Sequence, residues 1–331
     1  MDVFFDTFFF VLLFQGSYTA TVVTISTTIL GICAGFVGAF AVLRKKAMLS
    51  DAMSHGMLPG VGASFLLLVF LGLDSKSLPV LLAGGGITAI LTGFAISWFK
   101  KFPRIKDDTS IAIGLSFFFG VGVLLLSIVQ GTGSGSQGGL NRFIFGQTAS
   151  INVHEAWRMS FLGIIALIVS SLFTKELKLT AFDEGFASSQ GFYSNITDTV
   201  LFVSIIFVAL LGLQSVGLIM IVASLTIPAV CALLWSNSFY TVLILSSIFG
   251  GINSWIGSAI SSAGENMPTG AIIALCGGGG FLFSLLFSLK SGIVITIFRF
   301  IKSKFKINAD HLLRGMFEYM EVHNSKTVPL V

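Results

Sequence analysis

Long apolar runs dominate the chain, and most of them are long enough to cross a lipid bilayer as a helix. A transmembrane helix needs about 20 mostly apolar residues. The runs predict nine spans, at about 18–43, 57–73, 78–98, 110–130, 157–174, 197–213, 215–234, 241–262 and 268–289. A shorter apolar segment at residues 4–14 predicts a lead-in helix that lies in the membrane interface. The pattern therefore indicates an integral membrane protein that crosses the membrane many times.

The polar residues inside these runs favour a helical bundle. They are Gly, Ser and Thr rather than an alternating polar series, which argues against an outer-membrane β-barrel. Only 10% of the 331 residues are charged, whereas a soluble domain has about 25%. We therefore predict an all-α, polytopic bundle with an interfacial segment at 1–15, a transmembrane domain at 16–290 and a cytoplasmic basic, amphipathic tail at 291–331. Apolar residues at helical spacing predict a short amphipathic helix at about 309–324 of the tail.

The basic residues predict an orientation. If the N-terminus lies outside, the outer segments hold three of the 19 Lys and Arg residues, namely Lys76, Arg142 and Arg158. The others lie in segments that would then face the cytoplasm. Because short cytoplasmic loops carry an excess of Lys and Arg, we expect the N-terminus outside and the C-terminus in the cytoplasm.

Small residues predict where helices pack closely. Gly31 and Gly35 are four residues apart, and a run of glycines covers 277–280. Glycines at this spacing let helix backbones approach one another in membranes. We expect ordinary bundle packing at both places.

The stretch LSDAMSHGMLPG at 49–60 carries the most suggestive chemistry. Asp51 and His55 are four residues apart, so on a helix they face the same way. A carboxylate within the bilayer costs about 2.5–3.5 kcal/mol on insertion scales, and such residues usually have a function. Carboxylate oxygen with imidazole nitrogen suits Mn²⁺, Zn²⁺ or Fe²⁺. Two ligands from one helix are too few for a tight metal site, and a second copy of the chain related by a two-fold axis would bring the total to four. The alternative is that Asp51 caps a helix start and His55 merely packs.

Two other stretches fall in predicted cytoplasmic connections. AFDEGFASSQG at 181–191 places Asp183 and Glu184 between two phenylalanines, which predicts a surface knob. In SLTIPAVCALLWSNSFY at 224–240, Pro228 predicts the end of one helix and the start of a short apolar one. A short apolar helix on the cytoplasmic side needs a groove on a partner to cover it.

Nucleotide-binding motifs give no support for an ATPase. GSGSQG at 133–138 matches GxGxxG but lacks the strand and helix around it that a dinucleotide site requires. The P-loop pattern GxxxxGK[ST] does not occur in the sequence. We therefore expect no ATP hydrolysis by this chain.

Four segments together resemble one family. In order, they are RKKAMLSDAMSHGMLPGVGASF, AFDEGFASSQG, VGLIMIVASLTIPAVCALL and MPTGAIIALCGGGGFLFSLLF. They are similar to the permease subunit of bacterial manganese/zinc/iron ABC importers, which is related to the siderophore and cobalamin permeases. The similarity covers about residues 15–290.

The resemblance implies a non-catalytic permease in the bacterial plasma (inner) membrane that imports Mn²⁺, Zn²⁺ or Fe²⁺ and holds no permanent cofactor. It implies three kinds of partner: a second permease copy, identical or sister; a cytoplasmic ABC ATPase dimer that hydrolyses ATP; and an extracytoplasmic metal-binding protein. Asp51 and His55 would coordinate the transported ion. Residues of the ATPase-docking segment would be Pro228, Ala229, Leu233 and Leu234. Asp183 and Glu184 would face the cytoplasm.

Two other functions stay open at this point. A secondary transporter driven by an ion gradient would need more ionisable residues in the spans than this chain offers. An intramembrane metalloenzyme built on Asp51 and His55 would need a third strong ligand and a general base, and the zinc-protease motif HExxH does not occur.

Overall fold

The computed structural model describes residues 2–72, 77–131, 153–192, 194–215, 217–264 and 267–323, and every regular element within these ranges is an α-helix. The helices are α1 Asp2–Leu12, α2 Tyr18–Leu43, α3 Ala47–His55, α4 Leu58–Phe70, α5 Leu78–Phe99, α6 Asp107–Gly131, α7 Val153–Leu172, α8 Thr174–Phe182, α9 Glu184–Ser189, α10 Ser194–Ser215, α11 Leu218–Trp235, α12 Phe239–Ala263, α13 Thr269–Phe287 and α14 Ile293–His323. The prediction of an all-α membrane bundle is confirmed.

Eight stretches of the described residues are long and apolar enough to span a membrane. They are α2, the consecutive helices α3 and α4, α5, α6, α7, most of α10, α12 and α13. The second of these spans begins at Ala47 and not near residue 57, so Asp51 and His55 lie inside it. The remaining predicted span, 215–234, forms α11, whose apolar part Met220–Trp235 is shorter.

Helix α11 nevertheless crosses the bundle. It starts beside the far end of α10, where Gly217 turns the chain with φ 87°. It ends just before Phe239, whose ring lies 6.0 Å from that of Phe182 at the end of α8. Since α8 lies beside the end at which α10 begins, α11 returns the chain to that end. We call it the basic end, because Arg44, Lys46 and Lys178 lie there.

The predicted helix break at Pro228 is wrong. Pro228 lies inside α11, which continues to Trp235, and the turn follows at 236–238. Proline removes one intrahelical hydrogen bond. Membrane helices tolerate this loss because neighbouring helices can satisfy the freed backbone groups. Pro228 is buried among such neighbours, as α11 packs against α2, α12 and α13.

Helix α2 forms the centre of the packing, and its glycines explain why. A Cβ atom at Gly31 would overlap the backbone of Gly250, and one at Gly35 would overlap the carbonyl of Ser246, both on α12. The predicted close packing at Gly31 and Gly35 is confirmed. In the second predicted run, Gly278 has open space around it, so that run is only partly a packing surface.

The first and last helices of the described residues lie beside this core. The predicted interfacial segment forms α1, and the ring of Phe14 just after it stacks on Trp255 of α12 at 5.8 Å. The predicted short helix of the tail is instead part of the 31-residue helix α14, which packs on α13 and leaves apolar residues such as Phe298 and Leu312 exposed.

Candidate metal centre on a broken helix

Asp51 and His55 lie one turn apart in the second half of α3. Lys46 occupies the N-cap position of that helix, and no side chain caps it. Asp51 is therefore inside the helix. The alternative in which Asp51 caps a helix start is wrong, because the helix begins one turn earlier than that role requires.

The two side chains already contact each other. Asp51 Oδ1 lies 3.1 Å from His55 Nε2, and the side chains are 34% and 23% exposed, respectively. The rings of His55 and of Phe119 on α6 pack edge to face, with their centroids 4.9 Å apart. His55 Nδ1 is buried and has no hydrogen-bond partner among the residues that the structure describes. Asp51 is thus the polar group that orients the imidazole.

This separation suits two neighbouring ligands of one cation. Donor atoms about 2.0–2.2 Å from a first-row dication, at tetrahedral or right angles, lie about 2.8–3.6 Å apart. The 3.1 Å between Asp51 Oδ1 and His55 Nε2 falls in that range. Within the described part of the chain, no group of three or more His, Cys, Asp or Glu residues could hold a metal. One chain therefore offers half of a typical coordination shell.

The helix breaks directly after His55. Gly56 and Met57 keep helical φ and ψ angles, but the N–H of Met57 bonds the carbonyl of Ser54 three residues earlier, and α4 starts at Leu58 with Pro59 in its first turn. Pro59 has no N–H to donate to the carbonyl of His55 four residues earlier, so the two helices cannot join with regular hydrogen bonding. Discontinuous helices of this kind form substrate and ion sites in membrane transporters, because the freed backbone groups line a polar path.

Helix α5 braces the break and the first turn of α4 that follows it. The hydroxyl of Thr88 accepts a hydrogen bond from the backbone N–H of Gly60 at 3.2 Å and lies 3.5 Å from the carbonyl of Met57. Gly60 also packs so tightly on α5 that a Cβ atom would overlap the carbonyl of Gly84. The chain is therefore held firmly against α5 directly after the two metal-ligating side chains.

The other predicted site residues lie at or near the basic end. Pro228 and Ala229 are buried inside α11, whereas Leu233 and Leu234 are half-buried in its last turn. Asp183 caps α9, since its Oδ1 accepts a hydrogen bond from the N–H of Phe186 at 2.9 Å. The side chain of Glu184 lies outside the described residues.

The structure joins the two predicted cytoplasmic segments into one surface, which the sequence did not reveal. Lys178 of α8 lies over the ring of Tyr240, with Nζ 4.4 Å from the ring centroid. Phe182 and Tyr240, whose rings both lie beside that of Phe239, are exposed next to this contact. We call these two exposed aromatic residues the aromatic surface. The expected surface position of the 181–191 segment is confirmed.

Comparison with known proteins now identifies the family. Residues 17–288 match the family described as the ABC 3 transport family. The chain belongs to that family. The match confirms the resemblance drawn from the four sequence segments.

Individual relatives of this ABC 3 chain carry informative names. It is 34% identical over 298 residues to the manganese transport system membrane protein MntC of Bacillus subtilis, covering 90% of this chain and 67% of MntC. It is also 34% identical over 282 residues to the zinc transport system membrane protein TroC of Treponema pallidum, covering 85% of this chain and 93% of TroC.

Solved structures share the fold. PsaBC from Streptococcus pneumoniae, solved in complex with a Fab, is 31% identical with a TM-score of 0.71, covering 90% of this chain and 98% of that one. A putative metal-chelate type ABC transporter in an inward-facing conformation has 19% identity and a TM-score of 0.57, covering 78% of this chain and 84% of its own, and shows the fold alone.

The brace by Thr88 yields a first testable prediction for this ABC 3 chain. Replacing Thr88 with valine keeps the shape but leaves the N–H of Gly60 without its acceptor, which costs about 1–3 kcal/mol for a buried group. We expect faster amide hydrogen exchange in the peptide covering 56–62, measured by mass spectrometry on the purified protein. Thr88→Ser keeps the hydroxyl and should exchange at the wild-type rate. Equal rates in the valine and serine variants would contradict the brace.

Proposed function

We propose that this chain is the membrane permease of an ATP-driven importer that moves Mn²⁺, Zn²⁺ or Fe²⁺ into the cytoplasm. The observation that carries the proposal is the Asp51–His55 pair, 3.1 Å apart on a broken membrane helix. The names of MntC and TroC, manganese and zinc transport proteins, support the same class of cargo. Carboxylate and imidazole together bind all three dications, so the pair fits the class without selecting one metal.

A second permease copy completes the site in this proposal. Both side chains are partly exposed on the chain, although they lie within a membrane-spanning stretch. Ionisable groups there face a cavity or a partner, because contact with lipid tails is costly. A two-fold axis beside α3 would bring a second Asp51 and His55 to the same ion and supply four donors. The partner is an identical chain or a sister permease.

Metal binding replaces the hydrogen bond between Asp51 and His55. Without metal, Asp51 and His55 satisfy each other at 3.1 Å. A dication that enters takes the lone pair of Nε2 and one carboxylate oxygen, while a proton on the imidazole moves to Nδ1 or leaves. The hydrogen bond available to the empty pair moderates the affinity. A transport site needs such moderate binding, because the ion must also leave.

ATP hydrolysis belongs to a separate cytoplasmic ABC ATPase dimer in this proposal. The aromatic surface at the basic end exposes apolar side chains beside Lys178, and a partner groove would cover them. An extracytoplasmic metal-binding protein would deliver the ion to the opposite face.

The charge distribution supports an N-terminus outside and a C-terminus on the cytoplasmic side of the bacterial plasma membrane. This chain holds no permanent cofactor and performs no covalent chemistry.

The energy source provides the test of this function. We expect proteoliposomes containing the permease and its ATPase, fed by the loaded binding protein, to accumulate Mn²⁺ or Zn²⁺ with ATP present. A catalytically inactive ATPase should abolish accumulation, and a proton uncoupler should leave it unchanged. The reverse pattern would establish a gradient-driven secondary transporter instead. Growth of cells lacking this chain, with each metal limiting in turn, would identify the cargo.

A further inference from the structure

The turn between α2 and α3 has an unusual backbone. Lys45 has φ 57°, the left-handed region that glycine normally occupies. The turn is closed by two backbone hydrogen bonds, from the N–H of Lys45 to Val42 and from the N–H of Lys46 to Ala41, at 2.9 and 2.8 Å. A lysine in this conformation is strained, so the surrounding structure must hold it there.

A single carboxylate holds both neighbours of Lys45. Asp198 on α10 lies 2.5 Å from Nη1 of Arg44, and both of its oxygens lie 2.7 Å from Nζ of Lys46. The side chains of Arg44, Lys46 and Asp198 are 1%, 10% and 18% exposed. This buried cluster links two helices from distant parts of the chain.

Asp198 offsets an unfavourable environment for the lysine. Burial lowers the pKa of Lys46, and the nearby charges of Arg44 and Lys100 lower it further. The hydrogen bond to Asp198 and its negative charge raise that pKa. Without Asp198, two buried cations would face each other with their main counter-charge gone.

The turn controls where α3 points. Lys46 is the N-cap residue of α3, and Asp51 and His55 follow within the same short helix. Helix α2 is fixed by its packing on α12 and α11, whereas the short helix α3 has its largest contact with α6 and smaller ones with α11, α10, α5 and α2. A change in the 44–46 turn would therefore tilt α3 and shift both metal-ligating side chains relative to the rest of the bundle.

We propose that Asp198 is a positioning residue for the Asp51–His55 pair, because it locks the 44–46 turn from which α3 starts. The proposal rests on the proposed function of that pair. Asp198 also lies in the first turns of α10, the helix that follows α8 and α9. The carboxylate thus connects the part of the chain that carries the aromatic surface with the helix that carries the metal ligands.

The affinity for Mn²⁺ distinguishes positioning from simple stabilisation. We expect Asp198→Asn to weaken Mn²⁺ binding by about 10–100-fold in the purified permease–ATPase complex, as loss of an orienting partner does at other metal sites. Free Mn²⁺ would be counted by electron paramagnetic resonance. A purely structural role would lower the number of binding sites and leave the dissociation constant of the remaining ones unchanged, and that result would overturn the proposal.

Two further variants sharpen the test. Asp107 pairs with Lys100 at 3.4 Å near the same end but is mostly exposed, so Asp107→Asn should change the affinity less than about twofold. The triple variant Arg44→Met, Lys46→Met, Asp198→Leu removes every charge of the cluster and so leaves none of them buried without a partner. It should fold and still bind Mn²⁺ weakly. Wild-type affinity in the triple variant would overturn the proposal.

Asp51→Ala in the same assay separates this inference from the proposed function. If Asp51→Ala binds Mn²⁺ as well as the wild type does, both proposals fail. If Asp51→Ala loses binding and Asp198→Asn keeps wild-type affinity, only the positioning role of Asp198 fails.

Discussion

Replacing Asp51 or His55 with alanine is expected to reduce metal uptake to background while the transporter still assembles. Each change removes one of two donors per chain, so a dimeric site would lose half of its protein ligands. Neither side chain lies in the tightly packed centre of the bundle, since both are partly exposed. Folding should therefore survive. Uptake of Mn²⁺ and Zn²⁺ by cells, divided by the amount of assembled complex that can be purified from them, measures the effect.

His154→Ala is the matched control for this result. His154 is an exposed histidine at the start of α7, and its backbone carbonyl accepts a hydrogen bond from Arg158 that the substitution leaves in place. We expect wild-type uptake in this variant. Normal metal accumulation in both Asp51→Ala and His55→Ala would show that the ion takes another path.

Replacing Gly38 with alanine is expected to prevent stable assembly. A Cβ atom at Gly38 would overlap the carbonyl oxygen of Leu225 on α11 and lie 2.6 Å from its carbonyl carbon. These are backbone atoms, so no change of rotamer can relieve the clash, and α2 and α11 must separate. Overpacking of this kind costs about 1–3 kcal/mol or more. Thermal unfolding and the yield of monodisperse protein in detergent would show the loss.

Gly120→Ala provides the comparison for that experiment. Gly120 lies within α6, and a Cβ atom there would meet nothing within 4 Å. Since alanine is the better helix former by about 0.5–1 kcal/mol, this variant should be as stable as the wild type or slightly more so. Equal unfolding temperatures for Gly38→Ala and Gly120→Ala would show that the contact between α2 and α11 is not tight.

The positions of the spans were largely predictable, because bilayer thickness sets the length of an apolar run. The errors came from local composition. Ser50, Asp51, Ser54 and His55 lower the hydropathy of α3, so the second span was expected to begin after them. Pro228 was expected to end a helix, which holds for exposed helices but not for α11, buried among its neighbours.

The candidate site was predictable only in part. The spacing of Asp51 and His55 gave the shared face, and the structure adds the 3.1 Å contact between them. The ring of Phe119 and the brace by Thr88 come from other helices, and no sequence pattern connects them with the pair. The role of the docking residues Pro228, Ala229, Leu233 and Leu234 stays a prediction, as do the boundaries of the three predicted segments of the chain.

The sequence by itself determined the membrane class, the helical content, the family and the pair of donor atoms. Each of these depends on properties within a few turns of one helix, or on short segments read in order. Only the tertiary structure decided that the helix breaks against α5 and that Asp198 meets Lys46 across 152 positions of the chain. Such contacts depend on how every helix packs against its neighbours, and the hydropathy pattern along the chain does not predict that packing.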